Sequence, residues 1–254
     1  VTRLFSPGDL GRQIKPFVFL DRIDMEASAG ALFGWHPHSG IATITTVVKG
    51  DTAYADSTGA EGILKAGGVE FMQAGGGVWH TANPAEPGRV LGYQLWLALP
   101  EAIENALPYS AYVAPEDVPT IGSIRVILGQ YGDLVSPIPQ LSSLTYLHVK
   151  MKAREVWTYK PQAGQDVAWV AVTNGRLEVA GVALSSELAV FDEGDSAIIF
   201  RAQDDVDFML GSAAKHPHPL VTGDYSVHTN REALRIGEAG IKTVGNQIRA
   251  DGKI

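Results

Sequence analysis

Short apolar runs separated by turn-forming residues set the rhythm of this chain. Residues 15–24, Lys-Pro-Phe-Val-Phe-Leu-Asp-Arg-Ile-Asp, alternate enough to predict an early strand with Phe17 and Phe19 on one face. Ile41 to Lys49 is rich in Thr, Val and Ile and ends at Gly50-Asp51. Thr52 to Asp56 ends at Ser57-Thr58-Gly59-Ala60, and Gly62 to Lys65 ends at Ala66-Gly67-Gly68. Val69 to Gln73 stops at a glycine triplet, and Val90 to Leu99 is long and apolar. Runs at this spacing, punctuated in this way, predict an all-β sandwich or barrel. Residues 100–122 break the rhythm with Pro100, Pro108, Pro115 and Pro119; a short helix is expected around Glu101–Ala106 and a plain connection after it. Ile124–Leu128 is another strand.

Ser136-Pro137-Ile138-Pro139 is the best linker candidate, which divides the chain into 1–135 and 136–254. A second β series follows it: Thr145–Met151, Arg154–Tyr159, Ala168–Thr173, Arg176–Val179, Glu187–Phe191, Ala197–Arg201 and Val206–Gly211. Asn174-Gly175 and Glu193-Gly194-Asp195 are strong hairpin signals. The second half shares the rhythm of the first without its identity, so two similar barrels in tandem are expected. The tail opens with a capping box, Thr229 to Glu232, and predicts a short C-terminal helix.

A chain of 254 residues can bury a large core without staples, and it has no cysteine to make them. That excludes disulfides, thiolate metal sites and thiol nucleophiles, and fits a cytoplasmic protein. No signal-peptide pattern opens the sequence and no apolar run reaches a membrane span, so no membrane role is expected. A net charge of −8 without a Lys/Arg block argues against direct nucleic-acid binding. No G-x-S-x-G, phosphate loop or G-x-G-x-x-G occurs.

The candidate chemistry lies in Trp35-His36-Pro37-His38-Ser39-Gly40 and, later, Gly75-Gly76-Gly77-Val78-Trp79-His80. On a strand His36 and His38 point the same way. His80, arriving from a strand behind a glycine turn, would complete a three-nitrogen face with open positions, which suits a catalytic metal. Phe33, Trp35 and Trp79 flank these residues, either lining a pocket for a planar ring or filling ordinary core. His216-Pro217-His218 is expected to be exposed and without function, and His148 and His228 to be structural. Asp204-Asp205-Val206-Asp207 lacks the glycine and distal glutamate of a calcium loop and is expected to be a solvated hairpin.

Gly30, His36-Pro37-His38 and Gly50 resemble the first cupin motif, with Ala42 and Thr43 where its glutamate would stand. More specifically, H-P-H-S-G-I-A-T, F-M-Q-A-G-G-G-V-W-H and G-Y-Q-L-W-L-A-L-P, together with K-P-F-V-F-L-D and H-T-N-R-E-A, are similar to the pirin family. The resemblance implies a bicupin: two β-barrels, the N-terminal one holding an iron-type metal; the second half lacks a histidine set at the corresponding strands, so no metal is expected there. It implies His36, His38 and His80 as metal ligands, with Ala82 where the family has a ligating glutamate. Three explanations are open: a three-histidine site completed by water, another carboxylate such as Glu70, or a lost site; the first is preferred. The metal is then one divalent transition metal, iron first, with Ni, Cu, Mn or Zn as alternatives. Several pirin-like proteins are quercetin 2,3-dioxygenases, which implies oxygenolytic opening of a flavonol-like small aromatic substrate. Ala82 removes the expected base, so activity should be weak or the substrate different. The alternative is a non-catalytic module, a transcriptional co-regulator acting through a protein partner with a degenerate or lost metal site.

Overall fold

The computed structural model describes residues 1–28 and 33–254. Gly30, the first residue of the cupin-like motif, lies outside the described residues. The chain forms two compact units: Val1–Asp117 together with His216–Ile254, and Val118–Lys215. The expected boundary after residue 135 falls inside the second unit, and the C-terminal helix belongs to the first.

In the first unit ten strands make two antiparallel sheets. They are β1 (Thr2–Phe5), β2 (Phe17–Ala27), β3 (Phe33–His38), β4 (Ile41–Lys49), β5 (Thr52–Asp56), β6 (Glu61–Leu64), β7 (Val69–Gln73), β8 (Val78–Pro84), β9 (Gly88–Ala98) and β10 (Tyr109–Val113). The larger sheet has the order β1-β2-β9-β4-β7-β10, the smaller β3-β8-β5-β6. Alternating residues of the larger sheet, among them Ile41, Met72 and Trp96, are buried in one apolar cluster with Val78 of the smaller sheet. Residues 41–47 of β4 are buried without a break, so the larger sheet is covered on both faces.

Three expectations are corrected here. Phe17 and Phe19 do not share a face: a β-bulge between them sets Phe17 opposite Leu97 and Phe19 opposite Trp96, adjacent residues of β9 that point to opposite sides. The stretch 101–106 is not a helix. It is a pair of tight turns, Ile103 N–H to Pro100 O and Ala106 N–H to Ile103 O, because tertiary bonds claim its groups. Glu104 is buried against Thr229, accepting its backbone N–H at 2.7 Å and its hydroxyl at 2.6 Å. The stretch after it is not a plain connection either, since β10 pairs along β7 as an edge strand, where flanking prolines are tolerated.

The helix α1 (Arg231–Ala250) is longer than the capping box suggested, and its N-cap is Asn230, whose Oδ1 accepts the Ala233 N–H at 2.8 Å. Thr229 is held instead by Glu104. Gly237, Gly240 and Gly245 line the face that α1 lays on the first unit. A Cβ at Gly240 would come within 1.8 Å of the Gly76 oxygen, and one at Gly245 within 2.9 Å of the Trp79 indole. The glycine triplet answers in kind: Gly75 and Gly77 have φ of 52° and 141°, and a Cβ at Gly77 would sit 2.7 Å from the Ile241 nitrogen. Helix and turn therefore pack backbone against backbone.

The second unit repeats the plan. A larger sheet is centred on Ile124–Tyr131, Leu144–Met151, Val206–Ala213 and Val167–Asn174; a four-stranded sheet is built from Val156–Tyr159, Ile198–Ala202, Leu177–Val179 and Val182–Leu184. Leu147, Phe200 and Phe208 are fully buried in its core. The acidic stretch is not a hairpin: it links Ile198–Ala202 of the smaller sheet to Val206–Ala213 of the larger one, with Asp204 paired to Arg176, Asp205 to Lys152, and Asp207 accepting from His148 at 2.6 Å. Among the described residues no helix is long and apolar enough to cross a membrane.

Gly240→Ala tests the backbone contact. Helix propensity alone favours alanine by about 1 kcal/mol, yet the clash with Gly76 should leave the variant less stable by about 1–3 kcal/mol in urea unfolding. A stabilised variant would mean that the helix does not rest on the turn.

Candidate metal centre

Three imidazoles meet where β3 and β8 pair. His36 stands directly opposite His80 in the ladder, and His38 opposite Val78. Period-two alternation puts His36 and His38 on one side of β3, and the opposed position brings His80 to the same side. One potential ligand atom from each ring lies within 4.8 Å of the others. Ring centroids are separated by 5.1 Å for His36–His38, 4.4 Å for His36–His80 and 5.1 Å for His38–His80. The glycine turn is fixed from outside by Gly40 N–H to Gly75 O and Gly76 N–H to Ala106 O, which holds the start of β8 against the end of β3.

The hydrogen bonds define the donor set. Nδ1 of His36 donates to the Gly34 carbonyl at 2.8 Å, and Nδ1 of His38 donates to the Tyr225 carbonyl at 3.3 Å. A carbonyl can only accept, so each neutral ring keeps its lone pair on Nε2. His38 Nε2 and both nitrogens of His80 are buried without a hydrogen-bond partner. Unsatisfied buried imidazole nitrogens are costly unless an ion or another partner takes them, and the donor set fits a transition metal. Burial, helped by the neighbouring His80, pushes the His36 pKa down to about 4. Burial first, then His80 and His36, holds His38 well below the usual imidazole range. Both rings are thus kept neutral, as metal ligation requires.

Two cavities flank the trio. The larger, about 350 Å³, is walled by Phe19, His36, His38, Trp96 and Tyr225. Phe19 and Trp96 stack at 4.0 Å and 9° between planes, and His38 meets Trp96 edge-on at 4.8 Å. The smaller, about 60 Å³, lies beside His36 and is lined by Phe33, Ala82, Thr45 and Gln94. The larger falls in the range of small-molecule sites, whereas the smaller has room only for water.

The family model described as Pirin matches residues 1–97. A Pseudomonas aeruginosa protein provisionally named a quercetin 2,3-dioxygenase is 30% identical over 250 residues, which cover 92% of this chain and 87% of the relative. The chain belongs to the pirin family. Among solved structures, a quercetin 2,3-dioxygenase from Acinetobacter baumannii is similar with a TM-score of 0.84 at 24% identity, over 98% of this chain and 90% of that one. The Escherichia coli pirin YhhW in complex with nickel(II) gives 0.69 at 20% identity, over 84% and 90%. These likenesses establish the fold of a pirin, an all-β bicupin with paired cupin units and a terminal helix.

Other residues singled out in the sequence lie elsewhere. Trp35 and Trp79 neither line the cavity nor fill the space between the sheets. Each is the chain neighbour of a ligand candidate and so points to the opposite face, where Trp79 donates to the Ile241 carbonyl at 2.9 Å and Lys253 sits 5.8 Å over Trp35. The cavity wall comes instead from Phe19 and Trp96; the sequence carried Trp96 inside a family-like block, but nothing local showed which face it took. His216 is not exposed. It is 6% accessible, its Nε2 donates to the Leu99 carbonyl at 3.1 Å, and His218 lies 3.6 Å from Glu101. His228 is buried between Ser39, at 3.0 Å from Nε2, and Glu104, at 3.3 Å from Nδ1. This looks like a nucleophile triad, but Ser39 has no accessible surface and a methyl on Gly237 would come within 2.5 Å of its hydroxyl. No substrate can reach it, and the chain of bonds acts as a tie between residues 39 and 228.

Burial lowers the pKa of His36, His38, His216 and His228. Each ring is harder to protonate folded than unfolded, so the unfolded chain takes up more protons below the ordinary value of 6.5. Stability of the metal-free pirin should be complete above that pH and fall as pH drops toward about 4, the folded value for His36. Thermal midpoints across this interval check it; a midpoint that rose on acidification would contradict burial of neutral rings.

Proposed function

We propose that this pirin is a metal-dependent dioxygenase of a small planar aromatic substrate of the flavonol kind, with the metal held by His36, His38 and His80. The observation that carries the reading is the convergence of three imidazoles, one half-buried and two buried with unpartnered nitrogens, beside an aromatic-sided cavity that His36 and His38 line. A divalent metal there would act as a Lewis acid, favouring the ionised form of a phenolic hydroxyl and so raising the ring's reactivity toward dioxygen. Iron is the first choice; three imidazoles also serve Ni, Cu or Zn, and Mn less well.

The protein's own residues supply position and dryness. The Phe19–Trp96 stack offers an apolar wall for a planar ring beside His38. The carbonyls of Gly34 and Tyr225 orient two of the imidazoles, so their donor atoms need no rearrangement when a ligand arrives. Ala82 leaves a small cavity beside His36 where the family's acid would stand. That absence favours slow turnover, or a substrate that is already ionised and has no proton to lose. The cysteine-free chain suits a reducing, cytoplasmic setting.

Oxygen consumption with quercetin, measured on protein reconstituted with Fe²⁺ or Ni²⁺, tests the reading. Turnover should be abolished in His80→Ala along with stoichiometric metal. Trp96→Ala should raise KM by about 2- to 12-fold, the loss of one ring-stacking contact, while leaving metal content intact. Metal-loaded protein inert to flavonols and to related enediols would reject the enzymatic proposal. Ala82→Glu should tighten metal binding; an unchanged Kd would mean that residue 82 is not where the family's fourth ligand stands.

A further inference from the structure

Glu70 is a buried carboxylate that the reading above leaves without a task. It lies on β7, level with Thr45 of β4 and Tyr112 of β10, and is 2% exposed. An anion so buried is strongly destabilising unless something answers its charge. Among the described residues no lysine or arginine pairs with it; its ion-pair partner is His80, whose Nδ1 is 3.6 Å from Oε1. That is a few tenths of an ångström beyond a formed hydrogen bond. Glu70 is not one of the groups whose ligand atoms lie within 4.8 Å of one another in the trio, and its contact there is with Nδ1 of His80. Tyr54 and Tyr112, whose rings stack at 3.7 Å, also lie close enough to feel its charge and give it no cation either. Burial first, and the Glu70 charge second, push the pKa of both phenols up, so they stay protonated.

We infer that Glu70 is the positioning carboxylate of the metal centre: it receives the Nδ1–H of His80, leaves the lone pair on Nε2, and supplies from β7 the negative charge that Ala82 does not supply from β8. This rests on the proposal that the three histidines hold a metal. Three neutral imidazoles bring no countercharge to a dication, and His80 is the one ligand candidate whose ring has no carbonyl to fix its tautomer. His36 and His38 each have one. A carboxylate behind a ligating histidine meets both needs, since it orients the ring and makes its free nitrogen a stronger donor. The anion is thereby moved from the ligand shell to the layer behind it, and the open positions of the metal stay free for substrate and dioxygen.

The test uses the full chain with Glu70→Leu, which removes the acceptor and the charge, and Glu70→Gln, which keeps an acceptor. Ni²⁺ affinity is measured by calorimetry, and the His80 tautomer is read from ¹⁵N imidazole shifts of the metal-free protein. Glu70→Leu should weaken Ni²⁺ binding by about 10- to 100-fold and shift His80 away from the Nδ1–H form, with Glu70→Gln between it and wild type. A Glu70→Leu affinity within about twofold of wild type, or an unchanged His80 tautomer in both variants, overturns the inference. Should Glu70→Leu not fold, the Gln variant decides alone, on loss of charge. If wild type takes up no Ni²⁺, or His36→Ala binds it as well as wild type, the three-histidine proposal itself has failed, and the two failures are told apart.

Discussion

The opposed pairing of His36 with His80 is the constraint on which the site depends. In an antiparallel ladder, directly opposed residues carry their side chains to the same face, and a slip of one position sends every side chain to the other. A one-residue shift between β3 and β8 would turn His80 away and set Trp79 or Thr81 in its place. The register is accordingly held from several directions. The Gly75–Gly77 turn is pinned to Gly40 and Ala106, and α1 seats on its backbone. Ser57 also accepts the Trp79 N–H at 3.0 Å.

The outer support comes from far along the chain. The hairpin formed by Val221–Thr222 and Val227–His228 places the Tyr225 carbonyl on His38, while Ser39 bonds both Ser226, at 2.8 Å, and His228. Glu104 closes the chain by binding Thr229 just before α1 begins. The polar groups are buried but bonded in sequence, the condition under which a buried network specifies one arrangement. The glycine face of α1 serves the same end. Three helix glycines sacrifice propensity for close approach: Gly240 to the turn's backbone, Gly237 to the His228 and Ser39 side chains, and Gly245 to the Trp79 indole.

Much of this was legible in the sequence where the signal is local. The alternating runs at 41–49, 52–56 and 69–73 are strands with the expected limits. H-x-H on a strand, answered by a histidine after a glycine turn, identified the three rings that meet. What escaped was governed by distant contacts. The bulge at Val18 cannot be seen in Phe17-Val18-Phe19, so the two rings were given one face. Gly237, Gly240 and Gly245 lower helix propensity, and the surface they fit against cannot be seen in the sequence. The 101–106 stretch has helical composition, but Glu104 and the Ala106 carbonyl are used elsewhere. Glu70 could be named as a neighbour in sequence order; only the β4–β7–β10 ladder sets it beside Thr45 and Tyr112, with its carboxylate toward His80.

The first unit is discontinuous: residues 118–215 form the second unit and interrupt it. During synthesis the three histidines leave the ribosome long before residue 225, whose carbonyl orients one of them, and before the helix that clamps their turn. A nascent chain therefore carries the three histidines with one wall of their surroundings missing. The arrangement around the three rings is complete only once His216–Ile254 has docked, which makes the site a property of the finished chain.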